Sequence, residues 1–223
     1  MRTPLLRLVL YTGPETRREL ADLTIGATFN EQAKVEATSV DKAIRAVAGE
    51  RHYHDLEGLA LELAHRLLDS EVSVAHVEVE VVAQSWRRLG AQAFERGSQE
   101  ARIARATVDR DGSASVSAAI RGMKLMMGQP RFESVDLEWR YKAAGAAGVS
   151  YNPSWSAVRK MALQAFDDRE EPQAVAQLLV DVIEAVAEVK LTFEIEDLVE
   201  TGYDGLLESS GVVKRQSVTA KAR

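Results

Sequence analysis

The sequence predicts an α+β fold: an antiparallel sheet with helix pairs layered on one face. Three observations predict it. Segments in which apolar and charged residues alternate, such as Val77, Val79 and Val81 against His76, Glu78 and Glu80, have the period of half-buried strands. Segments in which apolar residues recur every three or four positions have the period of helices covering a sheet. The order is strand, strand, helix, helix, strand, gone through twice, and sequential hairpins with an inserted helix pair favour antiparallel pairing.

The elements follow in order. Leu5–Tyr11 and Glu19–Phe29 read as strands joined by a turn around Gly13-Pro14. An amphipathic helix then places Val40, Ala43, Ile44 and Val47 on one side. A second opens at Asp55, a good N-cap, and repeats Leu56, Leu59, Ala60, Leu63 and Leu67 at helical spacing. The strand through Val77–Val81 closes the first pass. A hairpin from Arg102 to Met127 turns at Asp109–Gly112, where the Asp-Gly pair supplies the positive φ of a tight turn. Ser134–Tyr141 is a further strand, Pro153–Phe166 and Pro172–Val186 are helices, and Glu188–Asp197 is the last strand. The domain reading is residues 1–96 for the first pass, 97–202 for the second, and 203–223 as a basic, disordered tail rich in Ser, Thr and Ala. Glu, Arg and Thr alternating along the strands predict a polar second sheet face, lining the inside of a barrel built from several subunits.

Composition narrows the function. At 223 residues, 46% hydrophobic and 28% charged, the chain has an ordinary globular balance. With no cysteine, disulfides and thiolate metal sites are excluded. The net charge is −6 with basic residues scattered through the body, which disfavours nucleic-acid binding. No window approaches the roughly 18 apolar residues of a membrane span. Arg7 interrupts the apolar N-terminal stretch, which reads as a strand and not an export signal, so the cytoplasm is the expected compartment.

Several phrases carry a family likeness. They are Ala37-Thr38-Ser39-Val40-Asp41-Lys42, Glu57–Leu68, His76–Leu89, Ala93-Phe94-Glu95-Arg96-Gly97 and Trp139-Arg140-Tyr141. In this order and spacing, from about Arg7 to Phe193, the chain resembles the urate oxidase (uricase) family of the tunnelling-fold superfamily. The resemblance implies two tandem tunnelling-fold units per chain, assembled into an oligomeric barrel. It also implies a planar, purine-like heterocycle bound between subunits, and an oxidation that uses dioxygen and no metal or organic cofactor.

The resemblance likewise assigns site residues. Thr38 matches the threonine of the family's Lys-Thr proton relay; by its own residues, Thr38-Ser39-Val40-Asp41 also fits a helix-capping pattern, and one hydroxyl can serve both roles. The relay lysine falls at Thr3, and the neighbouring Arg2 stays protonated and cannot shuttle a proton. The catalytic histidine should follow the last strand, where the chain reads Glu194-Ile195-Glu196-Asp197; no histidine occurs after His76. Arg131 and Gln173, or Gln177, are candidates for the pair that clamps the heterocycle, and Phe132 is the candidate to stack on it. His52 and His54 with His65 or His76 would make a metal set only if three converged; otherwise the first two are exposed histidines before a helix. The expected activity is a cofactor-free, urate-oxidase-like one altered by the missing lysine and histidine, with Thr38 and Glu196 or Asp197 handling protons. The alternative is a non-catalytic subunit that completes its site with a uricase-like partner.

Overall fold

Alternation and helical periodicity become one sheet and four helices in the computed structural model, which describes residues 6–12, 19–30, 33, 35–50, 56–70, 72–90, 93–96, 99–126, 131–142, 155–168, 171–183, 185–196 and 213–223. The elements are β1 (Leu6–Thr12), β2 (Glu19–Phe29), α1 (Ala37–Glu50), α2 (Leu56–Ser70), β3 (His76–Arg88), β4 (Phe94–Arg96), β5 (Ala101–Asp109), β6 (Ala114–Met126), β7 (Arg131–Tyr141), α3 (Trp155–Asp168), α4 (Pro172–Val182), β8 (Val186–Glu196) and β9 (Val213–Lys221). The strands pair antiparallel in the order β1-β2-β3-β5-β6-β7-β8-β9, with short β4 beside β3. Leaving β4 aside, the element order runs twice through two strands, two helices and two strands.

All the helices that contact the sheet do so on one face, with α2 over β3 and β5 and α4 over β8 and β9. Val77, Val79 and Val81 of β3, Ala104, Ala106 and Val108 of β5, and Leu137 and Trp139 of β7 turn to that face and are buried. Opposite them α2 inserts Leu59, Leu63 and Leu67, which are nearly or fully inaccessible. Each such side chain contributes on the order of 1.5–3 kcal/mol by leaving water. In α1, Val40, Ile44 and Val47 are buried as their spacing predicts, and Ala43 packs against the same core.

The hairpin at 109–113 is tied by Gly112 N to Asp109 O at 3.0 Å and by Asp109 N to Ser113 O at 2.9 Å. Only Gly112 takes a positive φ, of 90°; Asp111 does not, because no described residue other than glycine does. Arg110 in this turn caps the end of α2. Its Nη2 donates to Leu68 O at 2.5 Å, a carbonyl left free where the helix stops, and to Val74 O at 2.8 Å in the link to β3.

Three expectations are corrected. The helix read as Pro172–Val186 ends at Val182: Ile183 N makes a last helical bond to Leu179 O, and Val186 N then bonds to Ile183 O as the chain reverses. Val186 already pairs with Tyr141 and opens β8. Glu188–Asp197 is therefore not the last strand. The segment read as a disordered basic tail holds β9, paired with β8 from Val213 to Lys221. Its alternation explains why: Val218 and Ala220 pack against the core, while Arg215, Ser217, Thr219 and Lys221 take the other side.

Candidate functional site

The face that the helices leave uncovered is polar, and strand register determines what meets there. Glu80, Arg105, Ser117, Arg140, Glu188 and Lys221 are successive partners from β3 across to β9, skipping no strand on the path. A parallel row carries Thr28, Glu78, Thr107 and Ser115. Between them they line an open groove of about 660 Å³.

The two halves of this groove differ electrostatically. In the β3–β7 half, Arg105 Nε donates to Glu80 Oε2 at 2.7 Å and Nη1 donates to Glu138 Oε1 at 3.1 Å. Partial burial acts to lower the Arg105 pKa, but the hydrogen bond to Glu80 and the charges of Glu80, Glu138 and Glu78 together hold it above its usual value. Arg105 is thus fully committed to carboxylates. In the β6–β9 half, Arg140, Glu188 and Lys221 make no side-chain hydrogen bond or ion pair among the described residues.

Where β3 begins and β5 ends, His76 Nδ1 lies 2.7 Å from Asp109 Oδ1, and Ser113 Oγ donates to Asp109 Oδ2 at 3.2 Å. This chain of groups sits on the same polar face as Glu78. The sequence did not reveal it, since His76 and Asp109 become neighbours only through the β3–β5 register. Among the described residues no group of three or more His, Cys, Asp or Glu side chains is placed to hold a metal ion. His52 and His54 lie outside the described residues.

Of the residues assigned from the family likeness, Thr38 does not meet Arg131 and Phe132 within one chain. Thr38 is exposed in the first turn of α1, and its Oγ1 donates to a Glu36 carboxylate oxygen at 3.4 Å. It is not the cap: Val40 N bonds to Glu36 O at 3.2 Å, so helical bonding starts from Glu36, two residues earlier. Gln173 is exposed in the first turn of α4, and Gln177 is engaged by Asp181 at 2.7 Å. Arg131 and Phe132 open β7, paired with Met126 and Leu125 on one side and Glu196 and Ile195 on the other. Of their side chains, and of Thr3 and Asp197, the structure gives no description.

Register places Thr38 and the pair Arg131 and Phe132 at opposite ends of the sheet. Phe29 pairs with Val77, Val77 with Val108, and Val108 with Ala114, so β2 ends where β7 finishes, not where it starts. From Arg131 to Tyr141 the strand spans about 33 Å at the usual rise per residue. Thr38 follows the end of β2, and α1 pairs with α2, whose C-terminus Arg110 fixes at that same end. Arg131 and Phe132 are at the other.

No family model matches the sequence. No curated protein matches it either. Solved structures do share its fold. The uricase from Arthrobacter globiformis superposes with a TM-score of 0.80 at 16% identity, covering 99% of this chain and 93% of that one. A uricase from Bacillus fastidious gives 0.76 at 12%, covering 99% and 93%. The urate oxidase from Bacillus subtilis 168 gives 0.72 at 14%, covering 98% and 92%. At these identities the likeness is one of fold. No helix among the described residues is long and apolar enough to cross a membrane.

Proposed function

We propose that this chain is a diverged urate-oxidase-like protein that binds a purine-like planar heterocycle between subunits. The observation that carries the reading is the fold likeness to uricases over nearly the whole chain. In this reading the two passes of the element order are tandem tunnelling-fold units. The repeated order favours a seam in the hairpin at 110–113 over one at 96/97, because β9 then supplies the fourth strand of the second unit.

The separation of Thr38 from Arg131 and Phe132 supports a site shared between two copies of the chain in an oligomeric barrel. Arg131 and Gln173 are suited to clamp a heterocycle edge, and Phe132 to stack on its ring. With Thr3 at the relay lysine's position and no histidine beyond the last family-like strand, proton transfer falls to Thr38 with Glu196 or Asp197, and no metal or organic cofactor takes part. Urate itself is then a poor substrate, and the chemistry is a related cofactor-free reaction on another planar ring.

Calorimetric titration of the purified protein with urate and other oxopurines tests the binding. We expect saturable binding that weakens in Thr38→Ala; no binding to any oxopurine would overturn the reading. Following urate absorbance in the ultraviolet tests the chemistry, and turnover at a uricase-like rate would overturn the claim of altered activity. Native mass measurement separates a homo-oligomer from assembly with a second, uricase-like subunit.

A further inference from the structure

We propose that the β6–β9 half of the polar groove is a binding site for a small oxyanion that itself carries a hydrogen-bond donor, such as a protonated phosphate group. This site is independent of the heterocycle reading: its residues are Arg140, Lys221, Glu188, Ser115 and Ser117, none of which that reading uses.

The argument begins with a contrast. Among the described residues three cations face this groove, and one of them, Arg105, is neutralised by two carboxylates at 2.7 and 3.1 Å. The other two, Arg140 and Lys221, have no ion-pair partner among the described residues, although Glu188 stands between them in register. An Arg and a Lys on alternate strands are roughly 10 Å apart at the backbone, within reach of one bound anion. The guanidinium offers a planar fork of donors and the ammonium a compact point charge, the two devices by which proteins hold oxyanions. Ser115 and Ser117, from β6, add hydroxyls with no side-chain partner among the described residues.

Glu188 determines which oxyanion fits. The trio Arg140, Glu188 and Lys221 carries a net charge of one positive unit, so one negative charge on the ligand balances it. A carboxylate held beside the ligand can only accept hydrogen bonds. It therefore favours an anion with an O–H to donate and penalises one with none, because an acceptor facing an acceptor is left unpaired. Phosphate near neutral pH has such a donor and sulfate does not. The groove, at about 660 Å³, also has room for a larger molecule that bears the phosphate.

Titrating the full chain with inorganic phosphate, sulfate and glycerol 3-phosphate at constant ionic strength, read by the Arg Nε–H resonances in NMR, tests the site. We expect saturable phosphate binding with a Kd of about 1 mM or tighter, a shift confined to Arg140 and not Arg105, and weaker sulfate binding. Arg140→Gln and Lys221→Gln each weaken phosphate about tenfold, with circular dichroism confirming that both remain folded. Glu188→Gln, which gives the site an amide donor, abolishes the preference for phosphate over sulfate. Binding of glycerol 3-phosphate as well as phosphate identifies a phosphate carried on a larger molecule, and binding of phosphate alone identifies the free ion. Absence of saturable binding, or binding unchanged in both the Arg140 and Lys221 variants, overturns the proposal; a phosphate preference that survives Glu188→Gln overturns the role of Glu188.

Discussion

Arg105 stands directly opposite Glu80 across the β3–β5 ladder and donates from Nε to its carboxylate over 2.7 Å, while its Nη1 reaches Glu138 two strands further on. One guanidinium thereby joins β3, β5 and β7 on the face that the described helices leave uncovered. The side chains of Arg105 and Glu80 are 25% and 24% exposed, so solvent screens the pair only in part. Arg105→Met leaves Glu80 and Glu138 facing each other uncompensated and should cost about 2 kcal/mol, whereas Glu80→Gln keeps an acceptor and should cost about 1 kcal/mol. Urea denaturation of the two variants checks the order; Glu80→Gln costing more than Arg105→Met would contradict it.

Asp111 should titrate below its usual value. The carboxylate accepts the Ser113 backbone N–H at 2.8 Å, and this bond is the largest cause that lowers its pKa. The sign follows directly. A carboxyl whose folded pKa is depressed stabilises the fold above its unfolded pKa, and that contribution is lost as pH falls through the folded pKa. A carboxyl-detected NMR titration should place the Asp111 midpoint below 3.8. Asp111→Asn should leave stability less dependent on pH in that acid range.

Gly122 interrupts β6 with φ +68°, at a register shift between Ile120 and Met123, and its N–H donates to Asp136 Oδ1 at 2.9 Å. This irregularity lets Ile120 and Met123, three residues apart, both enter the core. A Cβ here would meet Gln99 O at 3.3 Å. Gly122→Ala should therefore cost about 1–2 kcal/mol from backbone conformation alone, with more from the displaced Gln99 carbonyl. Thermal unfolding of the variant provides the measurement.

Leu63 is fully buried between α2 and the sheet. Truncation to Ala removes its transfer energy and leaves a cavity, for an expected loss of 2–5 kcal/mol, about the range seen for large-to-small core changes. A loss below about 1 kcal/mol in denaturant melts would mean that the helix relaxes onto the sheet.

A chain ending at residue 212 should be less stable and more prone to aggregate. Without β9, the long strand β8 becomes an open edge, and the cover that Val218 and Ala220 give the core is lost. Light scattering on the shortened and full chains distinguishes this from a dispensable tail, which would leave both unchanged.

Much of the scaffold was legible in the sequence because burial on one face imposes a period. Glu19–Phe29 emerges with the bounds read for it, and Val77, Val79 and Val81 are buried as their alternation requires. β9 was not legible: as an outermost strand it carries polar side chains where an inner strand would carry large apolar ones, and Lys214, Arg215 and Lys221 read as solvated charge. The groove was legible only as a polar face. Glu80 and Arg105 are 25 positions apart, and Arg140 and Lys221 further still, so nothing local marks them as neighbours. Thr38 appeared as a cap because its spacing to Asp41 fits the pattern, yet helical bonding begins from Glu36, two residues earlier than that pattern requires.

The sheet ends in β1 on one side and β9 on the other, and these two rims are chemically unlike. β1 reads Leu-Arg-Leu-Val-Leu-Tyr-Thr with a single charge, while β9 bears Lys214, Arg215 and Lys221. Two β9 rims brought together would oppose like charges, a destabilising arrangement across a ladder. A β9 rim meeting a β1 rim would not. Contact of a β9 rim with a β1 rim would therefore meet less repulsion than contact of β9 with its own kind. Contacts of that sort would run head to tail, and the rotation between successive copies would decide whether they close into a ring or run on as a filament.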